Sequence, residues 1–227
     1  GSNAFDSTAT LIVPLSAAAA YKYSPDWAVD LIDVNKDTWN TSALYREWKE
    51  YFNQITYEND IVKISTKALR DKSGIENVIG ATEVSKVTGL KVTGTINSYD
   101  LFIIRTKMYS LHYLDLSDAD IVTCDFPYYE GCHTLDNEIS ANSFRDLAEL
   151  ISLKLPKNAT MICENAVRNC AKLCDVMLPE KLNQIGVKAF DGCCCLVAVS
   201  FPPNLNKIGF YAFGYCRSLR NVVFPCK

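Results

Sequence analysis

Residues 178–202 read LPEKLNQIGVKAFDGCCCLVAVSFP, and residues 202–225 read PPNLNKIGFYAFGYCRSLRNVVFP. Set one under the other, they are two copies of one unit. Pro156, Pro179, Pro202 and Pro225 stand 23 residues apart, and Ile162, Ile185 and Ile208 keep the same interval. So do Ala166, Ala189 and Ala212, then Cys170, Cys193 and Cys216, then Leu173, Leu196 and Leu219. Val176, Val199 and Val222 follow, and Leu178, Phe201 and Phe224 close each unit. Seven positions in register over three units do not arise by chance. A period of roughly 20–29 residues with leucine at fixed offsets predicts a solenoid of stacked coils.

The pattern continues upstream with decay. Ile139, Ser143, Phe144, Leu147, Leu150, Leu153, Leu155 and Pro156 occupy the same offsets one period earlier. Leu111–Leu116 (LHYLDL) and Val87–Val92 (VTGLKV) repeat the Leu-x-x-Leu-x-Leu core. Leu114 and Leu153 are 39 residues apart, one period plus 16, so an insertion is expected over residues 122–137. The count comes to six coils. In each, the segment equivalent to Leu173–Leu178 is short, apolar and β-prone, which predicts one strand of a parallel sheet per coil. Residues 173, 176 and 178 are expected to point inward, with 175 and 177 to solvent. The proline that follows cannot donate the next ladder bond and ends the strand. Ile185 to Phe190 should form the opposite wall, with Ala189 allowing close approach and Phe190 filling the gap between coils.

Composition agrees with a folded chain and narrows its partners. Of 227 residues, 48% are hydrophobic and 22% charged, and the net charge is −3. Such a balance argues against disorder and against a general electrostatic grip on nucleic acid. No stretch approaches the roughly 18 consecutive apolar residues of a membrane-spanning helix. Gly1–Ala4 (GSNA) reads as the remnant of a cleaved tag, so it is set apart from the fold. Residues 11–20 (LIVPLSAAAA) have the look of a signal-peptide core, but Asp6 stands where a basic region should be.

The two quoted units resemble the BspA-like leucine-rich repeat, L-P-x-x-L-x-x-I-G-x-x-A-F-x-x-C-x-x-L-x-x-V-x-F-P. Residues 156–179 depart from it, with Cys163 in place of the glycine and Val167 in place of the phenylalanine. Residues 90–121 are similar to the first coils of such proteins from anaerobic gut bacteria, and residues 60–86 to the strand-and-helix cap before them. Residues 9–34 (ATLIVPLSAAAAYKYSPDWAVDLIDV) are similar to the element that closes such arrays, although here it precedes the array. The division expected is therefore an N-terminal α/β segment over 5–59, a cap over 60–86 and repeats over 87–227. Within the first part, Ala43, Leu44, Trp48, Tyr51, Phe52 and Ile55 fall on one helical face and read as core. The resemblance implies an α/β leucine-rich-repeat solenoid, exposed at the cell surface or secreted, with any export signal outside this sequence. It implies a non-enzymatic role in adhesion or in protein or glycan recognition, with a structural spacer within a larger surface protein as the other reading. It supplies no catalytic residue and no cofactor.

The chemistry-bearing residues fit that reading. Cys170, Cys193 and Cys216 share one repeat position and are expected to form a buried ladder of thiols acting as small hydrophobes. Cys163, Cys174, Cys194 and Cys195 lack the two-residue spacing and the histidine of a zinc site, so no metal is expected. A disulfide between neighbouring coils requires Cα atoms within about 7 Å. Cys124 and Cys132 bracket the insertion and could pin it as a disulfide. Phe126, Tyr128 and Tyr129 between them serve either as a protruding binding loop or as local core folded back over the sheet edge. A nucleophile pair of Cys132 and His133 fails, because adjacent residues do not aim both side chains at one atom.

The outward strand positions form the candidate binding surface. They are Lys91, Tyr113, Asp115, Ser152, Lys154, Asp175, Met177, Ala198, Ser200, Asn221 and Val223. Six strands about 4.8 Å apart make this face roughly 24 Å wide. Its mixed charge suits a protein or glycan and discourages a small anion. The last strand, at 219–224, would leave an open edge, to be covered by residues 9–34, by a continuation of the chain, or by self-association.

Overall fold

The computed structural model describes residues 10–13, 31–33 and 61–224. In chain order the strands begin with β1 (Thr10–Val13), β2 (Leu31–Asp33), β3 (Ile61–Thr66), β4 (Gly89–Ile96) and β5 (Tyr113–Ile121). The insertion adds β6 (Cys124–Tyr129) and β7 (Cys132–Thr134). The repeats then alternate two-residue and three-residue strands. These are β8 (Glu138–Ile139), β9 (Ser152–Lys154), β10 (Met161–Ile162), β11 (Asp175–Met177), β12 (Gln184–Ile185), β13 (Ala198–Ser200), β14 (Lys207–Ile208) and β15 (Asn221–Val223). Helices α1 (Gly74–Ile79) and α2 (Ser98–Lys107) follow β3 and β4. The helical stripe expected over 43–55 lies outside the described residues.

The repeat period becomes a hydrogen-bond register. β11 pairs with β9 in parallel as Asp175↔Ser152, Val176↔Leu153 and Met177↔Lys154, each 23 residues apart. On the opposite wall Ile139, Ile162, Ile185 and Ile208 stand in register through β8, β10, β12 and β14. A third row of bonds runs along the turns between them. The N–H groups of Asn165, Val167 and Asn169 donate to the carbonyls of Val187, Ala189 and Asp191, and one repeat on Lys188, Phe190 and Gly192 donate to Phe210, Ala212 and Gly214. Every wall of the repeat thus satisfies its backbone against the next, as buried peptide groups require.

Two positions per repeat turn left-handed. Asn142, Asn165, Lys188 and Tyr211 have φ of 61°, 54°, 52° and 53°, and Asp146, Asn169, Gly192 and Tyr215 have 63°, 61°, 80° and 54°. Asparagine, aspartate and glycine tolerate this region; lysine and tyrosine hold it against a cost of about 1 kcal/mol each because the stacked bonds leave no other path. The glycine of the Ile-Gly pair has a different cause. A Cβ at Gly209 would lie 2.5 Å from the carbonyl carbon of Gly186 and the nitrogen of Val187. Consecutive repeats touch backbone to backbone there.

The inward residues make one core. Leu153, Leu173, Ile185, Ala189, Phe190, Leu196, Ala212, Phe213 and Val222 are all buried. Val176 is buried, Asp175 is half-buried and Met177 is exposed at 52%, as the alternation of the strand requires.

Two further features concern the ends. β3 lies parallel to β4 from Ile61↔Gly89 to Thr66↔Gly94, extending the parallel sheet by one strand before the repeats. At the other end β1 pairs in parallel with β15, as Thr10↔Asn221, Leu11↔Val222 and Ile12↔Val223, and β2 pairs with β1. The outer edge of β15 is thus paired within the chain by β1, part of the 9–34 segment. The long ladder is also split. It runs β3-β4-β5-β9-β11 and then β13-β15-β1-β2; β11 and β13 are in contact but do not share a sheet.

Candidate binding surface

Strand alternation brings Lys91 of β4, Asp115 of β5 and Lys154 of β9 onto one face. β5 is nine residues long, and its burial alternates through Ser117, Asp118, Ala119, Asp120 and Ile121. Asp118 and Asp120 therefore join the same rim. Asp115 accepts from the Ser117 N–H at 3.0 Å and hydroxyl at 2.6 Å, and from Lys154 Nζ at 3.2 Å. Lys91 Nζ lies 2.9 Å from Asp118 and 3.8 Å from Asp115. Lys157 Nζ closes the cluster at 2.6 Å from Asp118, and Asn158 donates to Asp120 at 2.8 Å.

The electrostatics follow from these contacts. Hydrogen bonds from Lys157 and Lys91 hold the Asp118 carboxyl down to about 2. Asp118 in turn raises Lys91. Burial pushes Asp115 up, but Ser117 and Lys154 outweigh it and leave the group below the ordinary aspartate value. Asp175, on the neighbouring strand β11, is pushed up by burial, with Ser152 Oγ donating to it at 3.2 Å. The face is a half-exposed lattice of paired charges, with donors and acceptors already oriented. Asp118, Asp120, Lys157 and Asn158 escape the sequence reading, although the alternating Asp-Ala-Asp of residues 118–120 is a signal for two of them.

The remaining candidates on this face fall where the alternation puts them, with one exception. Tyr113, Asp175, Ala198, Asn221 and Val223 are half-buried, while Met177 and Ser200 are exposed. Ser152 is buried at 8%, because its short side chain sits between Tyr113 and Asp175 on the flanking strands.

The insertion is a hairpin that packs down on α2. Phe126 stacks on Tyr99 with ring centroids 4.0 Å apart and meets Phe102 edge-on at 5.8 Å. Tyr128 is 3% exposed, and its hydroxyl donates to the Ala141 carbonyl. Arg105 lies 4.4 Å over the Tyr129 ring. Tyr128 is thus buried, while Phe126 and Tyr129 are half-buried. The packing face that α2 offers seats Phe126 and Tyr129, whose rings bury more area against a helix than on a free tip. Between this hairpin and residues 68–70 lies an open cleft of about 510 Å³, with Arg70, Asn97, Tyr99, Asp125 and Phe126 on its walls.

Cys124 and Cys132 are free thiols. The hairpin pairs Cys124 with Thr134 and Tyr129 with Cys132, so the two cysteines are offset along it and the expected disulfide is not formed. Cys170, Cys193 and Cys216 are fully buried, and their thiols donate to the carbonyls of Phe144, Val167 and Phe190 at 3.1, 3.2 and 3.2 Å. Burial raises Cys170 to about 12 and Cys193 well above its ordinary value. These are packing groups that also satisfy a carbonyl of the preceding repeat. Among the described residues no three His, Cys, Asp or Glu side chains converge as metal ligands.

Residues 137–227 match the BspA type leucine rich repeat region, in six copies. Over these residues the chain is similar to that family. Among solved structures, the chain is similar to a leucine rich repeat protein of T. pallidum (27% identity, 39% of this chain and 52% of that one, TM-score 0.32). It is also similar to a leucine-rich repeat protein from Bacteroides ovatus (27%, 43% and 31%, TM-score 0.31). A third is a leucine rich cell surface protein from Faecalibacterium prausnitzii (17%, 73% and 48%, TM-score 0.34). The chain thus spans between 31% and 52% of the length of these proteins. No curated protein sequence matches it significantly. No helix among the described residues is long and apolar enough to cross a membrane.

Proposed function

We propose that the BspA-type array is a non-enzymatic recognition module displayed at a bacterial cell surface, whose concave face receives a protein or glycan. The observation that carries this reading is the row of Lys91, Asp115, Lys154, Asp118 and Lys157 across β4, β5, β9 and the loop after it. Paired surface charges of this kind add little to stability, about 0–1 kcal/mol each. Five of them in one lattice on the sheet face are better accounted for by a ligand that exchanges its own hydroxyls, amides or charges for theirs. Half-buried Tyr113 and exposed Met177 on the same face supply apolar contact beside the polar groups.

The test is direct binding. The full chain is immobilised, and mucin oligosaccharides, extracellular-matrix proteins and an unrelated serum protein are passed over it. Saturable binding to one class, weakened by a Lys154→Glu and Asp115→Lys double reversal, supports recognition. Binding to none of them supports the spacer reading instead.

A further inference from the structure

We propose that Cys174 and Cys195 are a disulfide-forming pair that staples two consecutive repeats where, among the described strands, the repeat ladder is interrupted. Cys174 immediately precedes β11, and Cys195 lies three residues before β13, the two strands that touch without sharing a sheet. The Cys195 N–H donates to the Ala171 carbonyl at 3.2 Å, which carries Cys195 alongside residues 171–174. Cys174 Sγ sits 3.2 Å from the Lys172 carbonyl, and Cys195 is near enough to contribute to raising the Cys174 thiol. The spacing matters. The pair is 21 residues apart, two short of the repeat, so the side chains meet diagonally across the seam instead of stacking in register.

Six of the other thiols are poorly placed for the same reaction. Cys170, Cys193 and Cys216 are buried and each is committed to a carbonyl. Cys163 faces Glu138 at 3.6 Å, and Cys124 and Cys132 are offset along their hairpin. Cys195, by contrast, is exposed and Cys174 is half-buried, so an oxidant reaches the first and the second lies behind it.

The chemistry needs a small-molecule disulfide such as oxidised glutathione. The Cys195 thiolate attacks one of its sulfurs, forming a mixed disulfide and releasing one glutathione thiolate. The Cys174 thiolate then attacks the Cys195 sulfur, forming the Cys174–Cys195 bond and expelling the second. Two protein thiols are oxidised, one glutathione disulfide is reduced, and both protons leave with the glutathione thiols. Burial, and the neighbouring Cys195, raise Cys174 to about 11, so the second step accelerates as pH rises. The bond closes a loop of about 20 residues and is expected to raise the unfolding midpoint by roughly 5 °C.

The experiment treats the reduced full chain with oxidised glutathione, quenches with acid, alkylates in denaturant and maps tryptic peptides without reduction. The expected product joins peptide 173–181 to peptide 189–207, two hydrogens lighter than their sum, and reductant separates them. Cys194→Ser keeps the link, Cys195→Ser loses it, and Cys174→Ser traps glutathione on Cys195. A native chain that carries glutathione on Cys195 yet never forms the link overturns the proposal. So does a link that survives Cys195→Ser.

Discussion

The rings of Phe190 and Phe213 lie face over face, with centroids 5.1 Å apart and planes within 4° of parallel, although 23 residues separate them in the chain. One repeat produces one ring, and stacking the repeats stacks the rings. Phe201 closes the cluster from the strand side, edge-on to Phe213 at 5.7 Å. Both stacked rings are fully buried. Phe213→Ala removes a ring that its neighbours cannot replace and is expected to cost about 3–5 kcal/mol. Chemical denaturation checks this; an unchanged midpoint would mean that the rings are not between the repeats.

Gly209 makes a sharper claim about distance. Alanine there drives its methyl into the backbone at Gly186 and Val187, which has no flexible end to yield. Gly209→Ala is therefore expected to destabilise by about 1–3 kcal/mol. A neutral effect in denaturant titration would show that consecutive repeats are further apart than described.

The thiols should separate into two classes. In the native chain Cys195 is expected to react with a maleimide within the mixing time, while Cys170, Cys193 and Cys216 stay unlabelled until denaturant is added. Mass spectrometry of the labelled peptides reads this directly. Fast native labelling of the three buried sites would remove the thiol ladder.

Asp118 provides the pH test. Its pKa is lowered from 3.8 to about 2 by Lys157 and then Lys91. A lowered carboxylate stabilises the folded state above its unfolded value and loses that contribution as pH falls from 3.8 toward 2. The side-chain carboxyl resonance should titrate near 2 in the intact chain. In a Lys91→Met and Lys157→Met double variant the midpoint should return toward 3.8. A midpoint already at the ordinary value would dissolve the charge lattice.

The repeat core is legible in the sequence because a stacked fold writes its contacts at one interval. Phe190, Cys193 and Leu196 meet neighbours 23 residues away that are nearly the same residue, so periodicity alone reveals the pairing. The hairpin is not periodic, and its partners are not repeated. Phe126 packs on Tyr99 and Phe102 of α2, more than twenty residues upstream, and nothing in the local pattern announces that helix as its seat. The left-handed turns are half legible: Asn142, Asn165 and Asn169 signal them, while Lys188, Tyr211 and Tyr215 are forced into the same conformation by the stack. The Cys174–Cys195 meeting is hidden because it departs from the interval by two residues.

Recognition on the sheet face is distinguished from recognition elsewhere on the chain by one paired measurement. Lys154 lies on that face beside Asp115, and Lys207 lies exposed on the opposite wall in β14. Each is changed to glutamate in the full chain, and the dissociation constant is measured for whichever mucin oligosaccharide or matrix protein binds the unaltered chain. Lys154→Glu is expected to weaken binding by about tenfold or more, roughly 1.4 kcal/mol, while Lys207→Glu changes it less than about twofold. The reverse order, or equal small effects from both, would contradict it.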